Sequence, residues 1–253
     1  MNQYFNLTRW GRLLRKHAAE QVGSYALGAA VLLGGLVLVI GFLAYVGGGP
    51  PSVSGQAALF LLFLLGAGSF FTSSVLAGYG QGSRAALALT LPASQLEKFL
   101  VAWVVSVPVF LAVFLAVFYI ADSLVLSLYH QPATLFNVFE RREGWLHMGL
   151  QFLLVQALAL WGSIFFPRQQ FVRTAFVVFG AAAGLTVLNL KALQALLHTP
   201  LAFALPYQAA KLLPNGPLLT LPATQLGWLA GVVPALVLLL WAAAYARLTE
   251  KQL

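Results

Sequence analysis

Cysteine is absent from the 253 residues, and charged residues make up only 8% of them. The first absence removes disulfide frameworks, thiol chemistry and thiolate metal sites. The second removes the water-facing shell of an ordinary domain, since a soluble protein of this length carries about 25% charged residues. Acidic groups are scarcer still, with 6 Asp and Glu against 14 Lys and Arg and a formal charge of +8. Several chemical signatures are missing too. There is no HExxH zinc motif and no GxxxxGK[ST] phosphate loop, so neither zinc peptidase chemistry nor P-loop ATP hydrolysis is expected of this chain. No pair of carboxylates falls within an apolar run, which argues against an aspartyl-type membrane protease. His17, His130, His147 and His198 are scattered and lie near the ends of apolar runs. No catalytic residue, metal site or cofactor is therefore expected.

What the chain has in abundance is apolar sequence: 60% of its residues are hydrophobic and its mean hydropathy is +0.87. About 20 apolar residues cross a bilayer as a helix. Six runs qualify, at 25–46, 56–78, 99–121, 146–166, 174–190 and 228–246. Gly47-Gly48-Gly49-Pro50-Pro51 ends the first, Pro108 is expected to kink the third, and Pro167 stops the fourth. The fold class read from this pattern is an all-α integral membrane protein, a six-transmembrane helix bundle. Such a bundle leaves no length for a separate aqueous domain. No run holds a charged residue in its interior, and Asp122 and Lys191 are expected just beyond outer ends. That scarcity argues against an ion-coupled carrier.

The basic residues give the orientation. With the N-terminus inside, ten of the 14 Lys and Arg fall in cytoplasmic segments, and only Arg141, Arg142, Lys191 and Lys211 fall outside. The positive-inside bias puts both termini on the cytoplasmic side of a bacterial inner membrane. The same clustering at run ends accounts for the net charge without nucleic acid. Residues 1–22 hold no span and form the first unit, ahead of the six-span domain at 23–253. Leu7, Trp10, Leu14 and Ala18 share one side of a helix, while Arg9, Arg12, Lys16 and Glu20 line the other. This reads as an amphipathic interfacial helix against the lipid bilayer, with Arg9, Trp10, Arg12 and Lys16 as its membrane-interface residues. The first apolar run is too long for the core of a cleaved signal peptide.

Polar residues within the runs, Ser69, Thr72, Ser73 and Ser74 in the second and Gln151 and Gln156 in the fourth, read as interhelical hydrogen-bonding groups, with substrate contact as the alternative. Residues 191–225 are too apolar for a solvated loop and too rich in proline for a span. They read as short helices that dip partway into the outer leaflet. The octapeptide Leu89–Leu96 returns nearly unchanged as Leu219–Leu226, each copy just before a span. It is either a repeated helix-start signal or the trace of a three-span repeat.

The connection from Tyr79 to Lys98 carries the functional information. Gly-Gln-Gly-Ser-Arg is followed by the apolar piece Ala85–Leu89, then by Thr-Leu-Pro-Ala-Ser-Gln-Leu-Glu-Lys. Ser94 and Glu97 form an S-x-x-E capping box that sets the start of the third span. A bare connector needs only a few polar residues; an apolar helical piece here suggests docking at the cytoplasmic face.

With these residues in view, the chain resembles the membrane subunit of ABC-2 type ABC transporters, in particular its small bacterial permease-like branch. Ser83-Arg84, Leu87, Leu89, Leu91-Pro92-Ala93-Ser94 and Glu97-Lys98 follow that family's loop between spans two and three. Residues 191–225 are similar to its broken outer helices, and the likeness extends over nearly the whole chain. Many members carry an acid beside the loop arginine, whereas Gln81 to Ala86 holds none. The resemblance implies a permease subunit, homo- or heterodimeric, coupled to a separate P-loop ATPase that performs the hydrolysis. It places Ser83, Arg84, Leu87 and Leu91 in the ATPase-coupling surface, with Pro92, Ser94 and Glu97 shaping the helix start. An interior with few charges suits a hydrophobic or amphipathic substrate. The competing expectation is a non-transporting assembly or regulatory protein of the same fold.

Overall fold

The computed structural model describes residues 5–75, 94–129, 135–139, 142–166, 169–197, 210–211, 218–219 and 223–250. Six helices carry the chain: α1 (Leu7–Val46), α2 (Val53–Val75), α3 (Gln95–Leu128), α4 (Arg142–Phe165), α5 (Gln170–Leu197) and α6 (Ala223–Glu250). Each contains a segment long and apolar enough to cross a membrane. Between α5 and α6, Ala210–Lys211 pairs antiparallel with Leu218–Leu219. Of residues 191–225, where short re-entrant helices were expected, 191–197 instead continue α5 and 223–225 begin α6; apart from the paired residues, the others lie outside the described residues.

The helix ends follow local chemistry. Asn6 caps α1, its side chain accepting from the backbone N–H groups of Thr8 and Arg9 at 3.0 and 3.4 Å. At the other end Gly48 takes a φ of 69°, and the N–H of Gly49 returns to the Ala44 carbonyl at 2.9 Å. Only glycine adopts that left-handed turn without strain, so the glycine run stops the helix as expected. The interfacial segment and the first span, in contrast, are not separate. Residues 7–46 form one helix of 40 residues, about 60 Å long and twice the hydrocarbon thickness of a bilayer. Gly23 and Ser24 each lower helix propensity by about 1 kcal/mol at most, which does not break a helix packed along its length.

Pro108 produces a local change of winding rather than a bare kink. Val105–Val109 form a π-turn inside α3, which accommodates a residue with no N–H and a ring that would strike the preceding turn. Beyond it α3 runs to Leu128, seven residues past the expected boundary at 121. The other helices likewise start or finish several residues outside the apolar runs; α2 starts at Val53, three residues early, and 76–78 lie outside the described residues.

α4 is the central strut and packs against α2, α5 and α6, while α1 lies along α3. The main core joins α1, α2, α3 and residues 136–138 through Leu36, Ile40, Phe60, Leu64, Phe114, Phe118 and Val138. Phe60 sits edge-on to Phe114 and Phe118 at 5.3 and 5.0 Å, geometry that favours aromatic pairs. A smaller core of Ala102, Leu160, Ile164, Ala244 and Leu248 joins α3, α4 and α6 at the end of the bundle that also holds the start of α1. α5 is the least embedded of the six helices: among its described residues, only Gln170 and Thr174 are buried. It meets α4 where Gly162 has no side chain, since a Cβ there would lie 1.9 Å from Thr174 Oγ1.

Candidate functional site

The residues brought together at the N-terminal end of the bundle are distant in sequence. Ser94 caps α3 by accepting from the Glu97 N–H at 3.2 Å, and the Glu97 carboxylate returns to the Ser94 N–H at 3.0 Å, completing the expected capping box. The same carboxylate has further partners. It accepts from the backbone N–H of Asn6 at 2.8 Å and from Arg9, whose Nε lies 2.8 Å from Oε2 and whose Nη2 lies 2.8 Å from Oε1. The guanidinium thus engages both oxygens, the fork geometry that makes arginine–carboxylate pairs both strong and directional. Glu97 is fully buried while the Arg9 side chain is about one-third exposed. One carboxylate therefore caps α3, ties down the residue that caps α1, and holds the first turn of α1 through Arg9. Lys98, beside it, is also buried.

This changes the reading of the amphipathic segment. The side of α1 that is partly covered here runs through Arg9, Trp10, Leu13, Leu14, His17, Gln21 and Tyr25, while Leu7 is exposed and so is Ala18. Arg9 belongs to the contact with α3 rather than to a free basic face. Arg12 and Lys16 remain exposed, with Lys16 paired to Glu20 one turn on at 3.8 Å. Of the coupling residues expected from the loop, Ser94 and Glu97 are in this cluster. Ser83, Arg84, Leu87, Leu91 and Pro92 lie outside the described residues.

A second polar arrangement lies inside the bundle. Gln156 of α4 donates to Ser106 Oγ at 2.9 Å and accepts from the Trp241 indole N–H at 3.1 Å. Three helices are thereby joined at the π-turn of α3, the interhelical role expected for Gln156. The α2 serines behave differently, each bonding back to its own helix: Ser69 to Gly66, Ser73 to Ser69 and Ser74 to Phe71. Gln151 is exposed.

Sequence reasoning misplaced two ionisable residues. Asp122 does not lie beyond a helix end. It sits within α3, fully buried, and neither carboxylate oxygen has a hydrogen-bond partner among the described residues. The drop in hydropathy at Asp122-Ser123 suggested a boundary, but Val125 and Leu126 continue the buried face for another turn. Lys191 is likewise inside a helix, α5, on its exposed surface.

Taken together, six helices long and apolar enough to cross a membrane define a multi-pass α-helical membrane protein. Scans of protein-family models, curated proteins and solved structures find no match to the chain.

Proposed function

We propose that the chain is the permease subunit of an ATP-driven transporter of the ABC-2 type, set in a bacterial inner membrane with both termini in the cytoplasm. The observation that carries this reading is the Glu97 clamp. The connection between α2 and α3 is anchored at its downstream end to the first turn of α1, by a buried carboxylate that accepts from four donor nitrogens of Asn6, Arg9 and Ser94. A force applied to that connection is passed to two long helices at once, which is what an ATPase docked on it requires. The connection itself supplies the docking groups Arg84, Leu87 and Leu91, and two permease subunits enclose the path for a hydrophobic or amphipathic substrate.

Co-purification tests this. The tagged chain is extracted from its native membrane in mild detergent and its partners are identified by mass spectrometry. A P-loop ATPase in near-stoichiometric amount is expected, retained by Glu97→Gln but lost when Arg84 and Leu87 are both replaced by Glu. Recovery of the chain with other partners and no ATPase would instead support the assembly or regulatory role.

A further inference from the structure

Asp122 is the one aspartate of the chain, and the length of α3 carries it into the bundle. Leu128 ends the helix six residues further on, about 9 Å along its axis. Phe118 and Val125, one turn to either side of Asp122, belong to the main core with Leu36 and Ile40 of α1 and Phe60 of α2. Asp122 itself is fully buried, and neither carboxylate oxygen meets a donor among the described residues. Gln56 stands one turn outward from Phe60, as Asp122 does from Phe118. Its side-chain amide donates to the Pro51 carbonyl at 3.0 Å and accepts from the Phe136 N–H at 2.7 Å.

The elements packed around this part of α3 bring no counter-charge. Residues 26–46 of α1, all of α2 and residues 136–138 hold no Asp, Glu, His, Lys or Arg. Their ionisable groups, with those of α3 itself, are tyrosines. Tyr45 is 82% exposed, the Tyr119 hydroxyl accepts from the Val138 N–H at 3.2 Å, and Tyr129 stands at the helix end. An ionised carboxylate among hydrocarbon groups is so unfavourable that such a group neutralises instead. A hard metal cation would need several oxygen ligands, and no cluster of three acidic, His or Cys side chains occurs among the described residues. A proton needs one oxygen. Ionisable side chains within spans commonly mark paths for protons or ions, and Asp122 supplies the interior group that the apolar runs lack.

We propose that Asp122 is a proton-binding site, neutral in the packed bundle and able to release its proton only when α1 and α3 part at the C-terminal end of α3. On uptake, a carboxylate lone pair forms an O–H bond with a proton from the water beyond that end. On release the electron pair stays on the oxygen, and no other bond forms or breaks. The pH on that side of the membrane thereby sets how closely α1 fits α3. The site depends only on the six-helix fold and stands whether or not an ATPase is the partner. In the unfolded chain the aspartate is ionised above the ordinary carboxylate range, about pH 4, so folding takes up one proton. The folding equilibrium constant therefore falls about tenfold for each pH unit above that range, until the packed site gives up its proton as well. Asp122→Asn has no proton to gain and lacks this slope.

Infrared spectroscopy of the full chain in lipid nanodiscs reads the proton directly. The protein is made with ordinary aspartate or with aspartate isotope-labelled in its side-chain carboxyl, which marks Asp122 alone and needs no substitution. At neutral pH a carboxylic-acid C=O band that shifts with the label is expected. In alkaline buffer that band should vanish, together with faster amide deuterium exchange toward the end of α3. A label confined to ionised carboxylate bands at neutral pH would overturn the proposal, and so would loss of the acid band with no change in exchange. Unfolding of the wild type and Asp122→Asn in detergent gives a second reading. The advantage of the variant is expected to widen by about tenfold in folding constant for each pH unit toward neutrality; an advantage independent of pH would contradict a bound proton.

Discussion

Single residues carry the contrast between what is local and what is not. Ser94 and Glu97 stand three positions apart, and a capping box is a property of one helical turn, so their pairing was legible before any fold was known. Arg9 and Glu97 are separated by 88 positions, and no periodicity links them; the basic face of a helix and the acid of a cap had separate explanations until α1 lay beside α3. Asp122 was misread for a related reason. Hydropathy falls at that point of the sequence, while its burial depends on partners far along the chain. A buried carboxylate with no hydrogen-bond partner among the described residues opposes folding. Asp122→Asn keeps the shape and removes the charge. The melting temperature of the purified chain at neutral pH is expected to rise by a few degrees, about 2–4 °C for each kcal/mol recovered. A fall of similar size would mean that the carboxylate is held by hydrogen bonds after all.

Among whole elements, existence and type were legible from length and composition, because a helix is the only single-segment way to satisfy the backbone in lipid. Their ends were legible where glycine or proline punctuates the chain, as at Gly47–Pro51, and not where helices continue past the apolar run under tertiary packing, as α3 does to Leu128. The two copies of the octapeptide illustrate the limit. Both stand at helix starts, but Ser94 caps α3 whereas Thr224 already lies inside α6, and Gly227 occupies the position of Glu97, so only the first copy can form a capping box. The contact between α4 and α5 also depends on one residue without a side chain. Gly162→Ala would drive a methyl into Thr174, whose Oγ1, Cγ2 and Cβ all lie within 2.7 Å of the new atom. Overpacking of this kind lowers stability by about 1–3 kcal/mol. The expected outcome in a thermal melt is a loss of that order, partly restored by Thr174→Gly; an unchanged melt would mean that α5 does not seat against α4 at this point.

For the molecule as a whole, alternation of six helices sets Arg9, Lys98, Arg173 and Arg247 at one end and Arg142 and Lys191 toward the other. The Arg247 guanidinium lies 5.7 Å from the centre of the Phe165 ring, which joins the ends of α4 and α6 at the basic side. The orientation proposed from the positive-inside bias has that side facing the cytoplasm. A chain with no cysteine of its own permits a clean check with single cysteines and a membrane-impermeant maleimide. In intact spheroplasts, Asn137→Cys is expected to label and Leu7→Cys to label only after permeabilisation; the opposite pattern would invert the topology.

The claim that most needs testing is that an ATPase docks on the connection between α2 and α3. A photo-crosslinking amino acid placed at Leu87 and activated in living cells, followed by mass spectrometry of the adduct, reads that contact directly. The expected product is a crosslink to a P-loop ATPase subunit, lost when Arg84 is replaced by Glu. Adducts confined to lipid, to the chain itself or to proteins without a nucleotide-binding domain would contradict the permease function and leave a six-helix membrane protein with a different partner.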